Sequence, residues 1–192
     1  MEDQGGPERT VRKTGRPLSF DRDAAVETAM LLFWQHGYET TSIADLIGAM
    51  GINAPSLYNA FGDKKRLFLE AVQRYAGDPE ALVREIESAP SSHGAANQLL
   101  TTAAIGYTGE ETPRGCLLAN ATATGSVASS DVQAAIADIR RAIAAGLEAR
   151  ILRDSTEGVL PQGTDAAALS GLVMAVLQGM SVLARDGASR AT

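Results

Sequence analysis

The chain has 192 residues, enough for one or two small domains with a sizeable buried core. At 45% hydrophobic and 21% charged it is neither disordered nor fibrous, and its single cysteine, Cys116, rules out an intrachain disulfide. A net charge of −6 would argue against a nucleic-acid partner if it were evenly spread, but residues 9–77 carry nine Lys or Arg against seven Asp or Glu, and residues 78–192 carry eight against thirteen.

The first 18 residues are polar, rich in Gly and Pro, and carry Arg9, Arg12, Lys13 and Arg16. They read as a flexible basic arm with no apolar signal core. Ser19 then caps a helix over residues 20–36, where Val26, Ala29, Met30 and Phe33 recur at helical spacing and Gly37 stops it. In residues 42–50, Ile43, Leu46, Ile47 and Met50 share one helical face; Thr41 or Ser42 is the cap and Gly51 the stop. Asn53 caps a short helix with Pro55 in its first turn and Leu57 and Phe61 inward. Gly62 and Asp63 break the chain before a longer helix that runs to about residue 76.

Beyond a kink at Gly77, Asp78 and Pro79, helices are expected over 79–88, 94–107 and 116–128. A further helix over 131–153 is opened by a Ser130/Gln133 capping box. A Gly/Pro loop at 155–164 precedes a last helix with Leu169, Leu172, Val173, Val176, Leu177, Met180 and Leu183. No strand alternation is present, so the fold expected is all-α with about nine helices. No run of about 18 apolar residues stands out, so no membrane span is expected. The lone thiol fits a cytoplasmic location.

The helix, the tight turn at Gly51 and the second helix together make a helix-turn-helix pattern over Ser42 to Phe61. In that motif the second helix enters the major groove with its N-terminal residues toward the bases. Those residues are Asn53, Ala54, Pro55 and Ser56, with Tyr58 and Asn59 one turn on. Asn pairs with adenine edges, while Ser and Tyr bind phosphate oxygens. Lys64 and Lys65 sit in a first helical turn, where the macrodipole disfavours cations by roughly 0.3–1 kcal/mol each. A DNA phosphate would reverse that sign. Arg12, Lys13 and Arg16 lie on a lead able to reach a minor groove.

The stretch "AMLLFWQHGYETTSIADLIGAMGINAPSLYNAFGDKKRLFLEAV" resembles the N-terminal domain of TetR-family transcriptional regulators. The shared features are Gly37-Tyr38, Thr40 to Ile43, Ile47, Gly51, Leu57-Tyr58 with Phe61, and Lys64 with Leu67. The resemblance implies a dimeric repressor-type protein with a DNA-binding head (19–76) and a ligand-binding, dimerising body (77–192). It implies phosphate contacts at Thr41, Tyr58 and Lys64, with Asn53, Pro55, Ser56 and Asn59 at the groove. Ser42 completes the candidate DNA-contacting set. Ala60 departs from the His or second aromatic common in the family just before the Phe, which leaves Asn59 to carry more.

For the body, the resemblance implies a four-helix dimer interface built with the partner copy, here from Ile136, Ile139, Ile143, Leu147, Leu172, Val176 and Met180. A pseudo-palindromic double-stranded operator follows from that symmetry. A small, mostly apolar effector would be lined by Leu99, Leu100, Ala103, Tyr107, Cys116, Asn120, Thr124, Met174 and Gln178. Cys116 follows Arg114, which suggests either an activated thiol sensing an electrophile or oxidant, or a buried inert cysteine. His36 and His93 have no catalytic or metal-ligand companions, so no enzyme, metal or cofactor is expected. The competing reading is a helical scaffold that has lost DNA binding.

Overall fold

A computed structural model describes residues 20–121 and 130–191. These form nine helices and no strand among the described residues. In chain order they are α1 (Arg22–His36), α2 (Ile43–Met50), α3 (Ala54–Phe61), α4 (Lys64–Ala76), α5 (Pro79–Ser88), α6 (Ser92–Tyr107), α7 (Leu117–Asn120), α8 (Ser130–Thr156) and α9 (Ala166–Arg185). The boundaries follow cap chemistry. Asp21 caps α1, its carboxylate accepting from the Asp23 and Ala24 N–H groups at 2.9 and 3.1 Å. Ser19, the cap expected from the sequence, lies outside the described residues. Asp63 caps α4 by accepting from the Arg66 N–H at 2.7 Å.

One expected boundary moves and another falls outside the described residues. Of the helix expected over 116–128, the turn α7 is described and residues 122–128 lie outside the described residues. Ser130 lies within α8, so it is not the cap that the Ser130/Gln133 pairing suggested.

The first four helices close around Phe33, Leu46, Leu57, Leu67 and Phe68, all fully buried. The Phe68 ring meets Phe33 edge-on at 5.0 Å and Tyr38 at 4.8 Å. This core does not end at residue 76. It continues through Cys116, Leu117 and Leu118 to Val132 and Ile136. The head is therefore seated on the body by shared apolar packing, and burial of this kind stabilises by about 25 cal/mol per Å².

A second cluster of Ile86, Ala95 and Leu147 joins α5, α6 and α8. Beside it is a buried ionic clamp. Arg150 donates to the carbonyls of Ala89 and Pro90, both at 2.9 Å, and pairs with Asp154 at 2.5 Å. Asp154 also accepts from the Ser92 N–H and hydroxyl at 2.6 and 2.7 Å. The turn between α5 and α6 is thereby tied to α8. Burial alone would raise the Asp154 pKa, but the Ser92 hydrogen bonds and the Arg150 charge outweigh it and hold the carboxyl below its usual range.

Helix α9 is the one described helix long and apolar enough to cross a membrane by length and composition alone, a run that the sequence reading passed over, and 22% of its 18-residue apolar window is buried in the single chain. Its inner face is held by buried Ala166, Ser170, Leu177, Ser181 and Ala184. The outer face exposes Leu172, Val176, Val182 and Leu183.

Candidate nucleic-acid interface

The turn between α2 and α3 is set by local chemistry. Ser42 and Asp45 form a reciprocal capping box: the Asp45 N–H donates to the Ser42 hydroxyl oxygen at 3.1 Å, and the Ser42 N–H donates to the Asp45 carboxylate at 2.8 Å. Gly51, at φ +66°, takes the left-handed stop that a side chain resists. The Ile52 N–H then donates to the Ile47 carbonyl at 3.1 Å. Asn53 opens α3 by accepting from the Ser56 N–H at 2.8 Å.

Helix α3 divides cleanly. Leu57 is fully buried and Phe61 nearly so. Pro55, Tyr58 and Asn59 are exposed on the opposite side, and Ser56 is half-buried between. Ala60 packs partly against the head core. The outward face of α3 thus presents a phenol, a carboxamide and a hydroxyl, the groups that contact phosphates and base edges. The Asn53 side-chain oxygen is occupied as a cap, so its NH2 group is what remains for a groove.

Other expected contacts stand differently. Thr41 is 1% exposed, and its hydroxyl donates to the Gly37 carbonyl at 2.7 Å. It is a core residue and cannot offer that hydroxyl to a phosphate. Its exposed neighbour Thr40, which the motif spacing does not single out, is the outward threonine. The Ser42 hydroxyl also donates to Asp45 at 2.7 Å, so a carboxylate already holds it. Arg12, Lys13 and Arg16 lie outside the described residues.

The two lysines part company. Lys64 lies over the Tyr38 ring at 4.5 Å and donates to the Glu39 carbonyl at 3.4 Å. Burial pushes its pKa down, against the pull of Glu39 and Asp45. Lys65 pairs with Asp131 at the start of α8. The Asp63 cap offsets the dipole penalty that made these lysines stand out. Lys64 stays within the head, against Tyr38 and Glu39, whereas Lys65 links head to body.

The body contains a cavity of about 360 Å³ where head and body meet. Trp34 and Tyr75 reach it from the head, and Leu82, Ala103, Tyr107, Cys116, Ile139 and Leu177 from the body. Of the expected pocket residues, Leu99, Ala103, Tyr107 and Cys116 line it. Leu100 does not. Asn120 is turned to α1, donating to the Trp34 carbonyl at 3.4 Å. Met174 and Gln178 line a groove between α8 and α9 instead. Thr124 is outside the described residues. Trp34 and Tyr75 escape a reading of the sequence because helical periodicity marks them only as core.

The expected interface residues also divide. Ile136 and Leu147 are fully buried within one chain, and Ile139 and Ile143 line the cavity, so none of these four is an outward face. Leu172 and Val176 are exposed at 60% and 42%, and Met180 is half-buried. The apolar stripe on α8 packs against this chain's own α5 and α9.

Cys116 is buried. Its N–H donates to the Ser181 hydroxyl oxygen at 2.8 Å, and its sulfur accepts from the Tyr75 phenol at 3.5 Å. Arg114 is not beside it: that guanidinium donates to the carbonyls of Ala184 and Ala188 at 3.4 and 3.1 Å. The cation invoked for an activated thiol is committed to the end of α9.

Residues 25–71 match the family described as bacterial regulatory proteins, tetR family. The transcriptional repressor ComR of Escherichia coli K12 is 38% identical over 188 residues, spanning 93% of this chain and 87% of that one. A cysteine mutant of the TetR-family regulator CifR, solved on 26-base-pair double-stranded operator DNA, is similar at a TM-score of 0.82 and 39% identity. That likeness covers 92% of this chain and 93% of CifR. A TetR-type regulator from Rhodococcus sp. RHA1 is 37% identical with a TM-score of 0.59, over 89% of this chain and 91% of its own. With these likenesses, the helix-turn-helix head and the body, helical in its described residues, make the protein a transcriptional regulator. The chain belongs to the tetR family of bacterial regulatory proteins.

Proposed function

We infer that the protein is a cytoplasmic, homodimeric repressor that binds a pseudo-palindromic operator and leaves it when a small effector binds. The observation that carries the reading is the outward face of α3, with Pro55, Tyr58 and Asn59 exposed opposite buried Leu57 and Phe61. ComR is named a repressor, and CifR is solved on operator DNA. Tyr58 and Lys64 are assigned to phosphates, and Asn53, Ser56 and Asn59 to the groove. Arg12, Lys13 and Arg16 add charge for the flanking DNA.

The cavity supports effector control because it lies between head and body, which several polar links join. The Trp34 indole donates to the Gly115 carbonyl at 3.0 Å, the Tyr75 phenol donates to Cys116, and Lys65 pairs with Asp131. An effector that alters this joint has unequal affinity for two head orientations, which is what a switch requires. The test is a gel shift at stated salt with the gene's own upstream region. Wild type should shift a fragment, and Tyr58→Ala with Asn59→Ala should weaken the shift at least tenfold. Equal binding by both proteins would remove α3 as the reading helix.

A further inference from the structure

Resting on the effector reading above, we propose that the cavity selects a neutral molecule of about a dozen non-hydrogen atoms, an apolar frame bearing one carbonyl-type oxygen held between Tyr75 and Tyr107. Size comes first. An apolar cavity of about 150 Å³ takes benzene, so about 360 Å³ holds roughly twice that. Charge comes next. No charged side chain lines the cavity among the described residues, and residues 122–129 bring none in sequence. An ion seated there would lose much of its hydration with no opposite charge to replace it.

The polar chemistry is one-sided. The Tyr75 phenol donates to the Cys116 sulfur at 3.5 Å, and the Tyr107 side chain lines the same cavity. Thiol sulfur is a weak acceptor. Tyr75 therefore spends a good donor on a poor partner. Burial first, and then the charge and hydrogen bonding of Cys116, raise both phenol pKa values, so they stay protonated and able to donate. A ligand oxygen placed between them would replace a weak bond with stronger ones. The same ligand would lie against Trp34 of α1 and Tyr75 of α4, so its arrival is felt directly by the head.

The test uses the full chain and three probes in titration calorimetry: 1-tetralone, its hydrocarbon counterpart tetralin, and 1-naphthoate. Tetralone is expected to bind at least tenfold more tightly than tetralin, and naphthoate not to bind. Tyr75→Phe and Tyr107→Phe should each cost tetralone roughly three- to tenfold while leaving tetralin unchanged. Equal affinity for ketone and hydrocarbon, binding of the carboxylate, or no binding of tetralone up to its solubility overturns the proposal. The three-probe comparison on wild type needs no variant to fold. A parallel gel shift separates the two readings: tetralone that binds but does not release the upstream fragment sinks the effector switch and leaves the ligand class standing.

Discussion

Thr40 and Thr41 stand side by side, and only packing tells them apart. Thr41 faces inward and gives its hydroxyl to the Gly37 carbonyl. Thr41→Ala would leave that buried carbonyl with only the long 3.5 Å bond from the Thr40 hydroxyl, a loss of about 1 kcal/mol visible in urea unfolding. The dependence of operator affinity on salt should not change. Lys64 calls for the opposite experiment. Its ammonium lies over the Tyr38 ring and donates to the Glu39 carbonyl, and it is a cation of the head beside α2. Lys64→Met keeps an unbranched apolar chain and removes the charge. If Lys64 neutralises one phosphate in each head, the slope of log affinity against log salt should shrink by about 0.9 per head, with stability nearly unchanged. An unaltered slope would make Lys64 a packing residue alone. The outward set on α3 was legible because one turn of helix puts Tyr58 and Asn59 opposite Leu57 and Phe61. The inward turn of Thr41 was not, because the spacing of two adjacent hydroxyls says nothing about which one the core takes.

Among the elements, the helix-turn-helix could be read because its signals are local: Ser42 with Asp45, Gly51, Asn53 and Asp63 each act within a few residues of the end they cap. The clamp on α8 could not, since Asp154 meets Ser92 across 62 positions and Arg150 looks like a solvated helix charge. It carries a sharp expectation. Asp154→Asn leaves the Arg150 guanidinium buried beside a neutral group and should cost about 3–5 kcal/mol at pH 7. The pH dependence follows from the lowered carboxyl. The unfolded chain, with an ordinary carboxyl near pH 4, takes up its proton before the folded one does. The stabilisation is therefore complete above about pH 4 and is lost as the pH falls through the lower folded value. In urea titrations the gap between wild type and Asp154→Asn should narrow below pH 4. A constant gap would mean that Asp154 acts through shape rather than charge. Replacing the pair together, as Arg150→Met with Asp154→Leu, should recover part of the loss.

For the whole molecule, the question is what covers α9. Its outer face carries exposed Leu172, Val176, Val182 and Leu183, with Gly171 and Gly179 open on the same side. A helix of this composition also meets the length and apolarity needed to enter a membrane. The two outcomes differ in their geometry. Small residues at 171, 175 and 179 leave a flat stripe on which a second helix can lie closely. Buried Ser170 and Ser181 on the inner side bond to Ala144 and Cys116, which ties the helix into a protein core. A second copy of this face satisfies both features, and the symmetry it creates sets two α3 helices against two half-sites. Leu172→Glu with Val176→Glu places four carboxylates across that contact. Light scattering should then read a monomer where wild type is a dimer, with the helical circular dichroism retained. Operator affinity should fall at least tenfold, because each head alone grips one half-site. A doubly substituted protein that remained dimeric would move the interface off α9. One that became monomeric yet bound the operator as tightly as wild type would break the link between this face and DNA recognition.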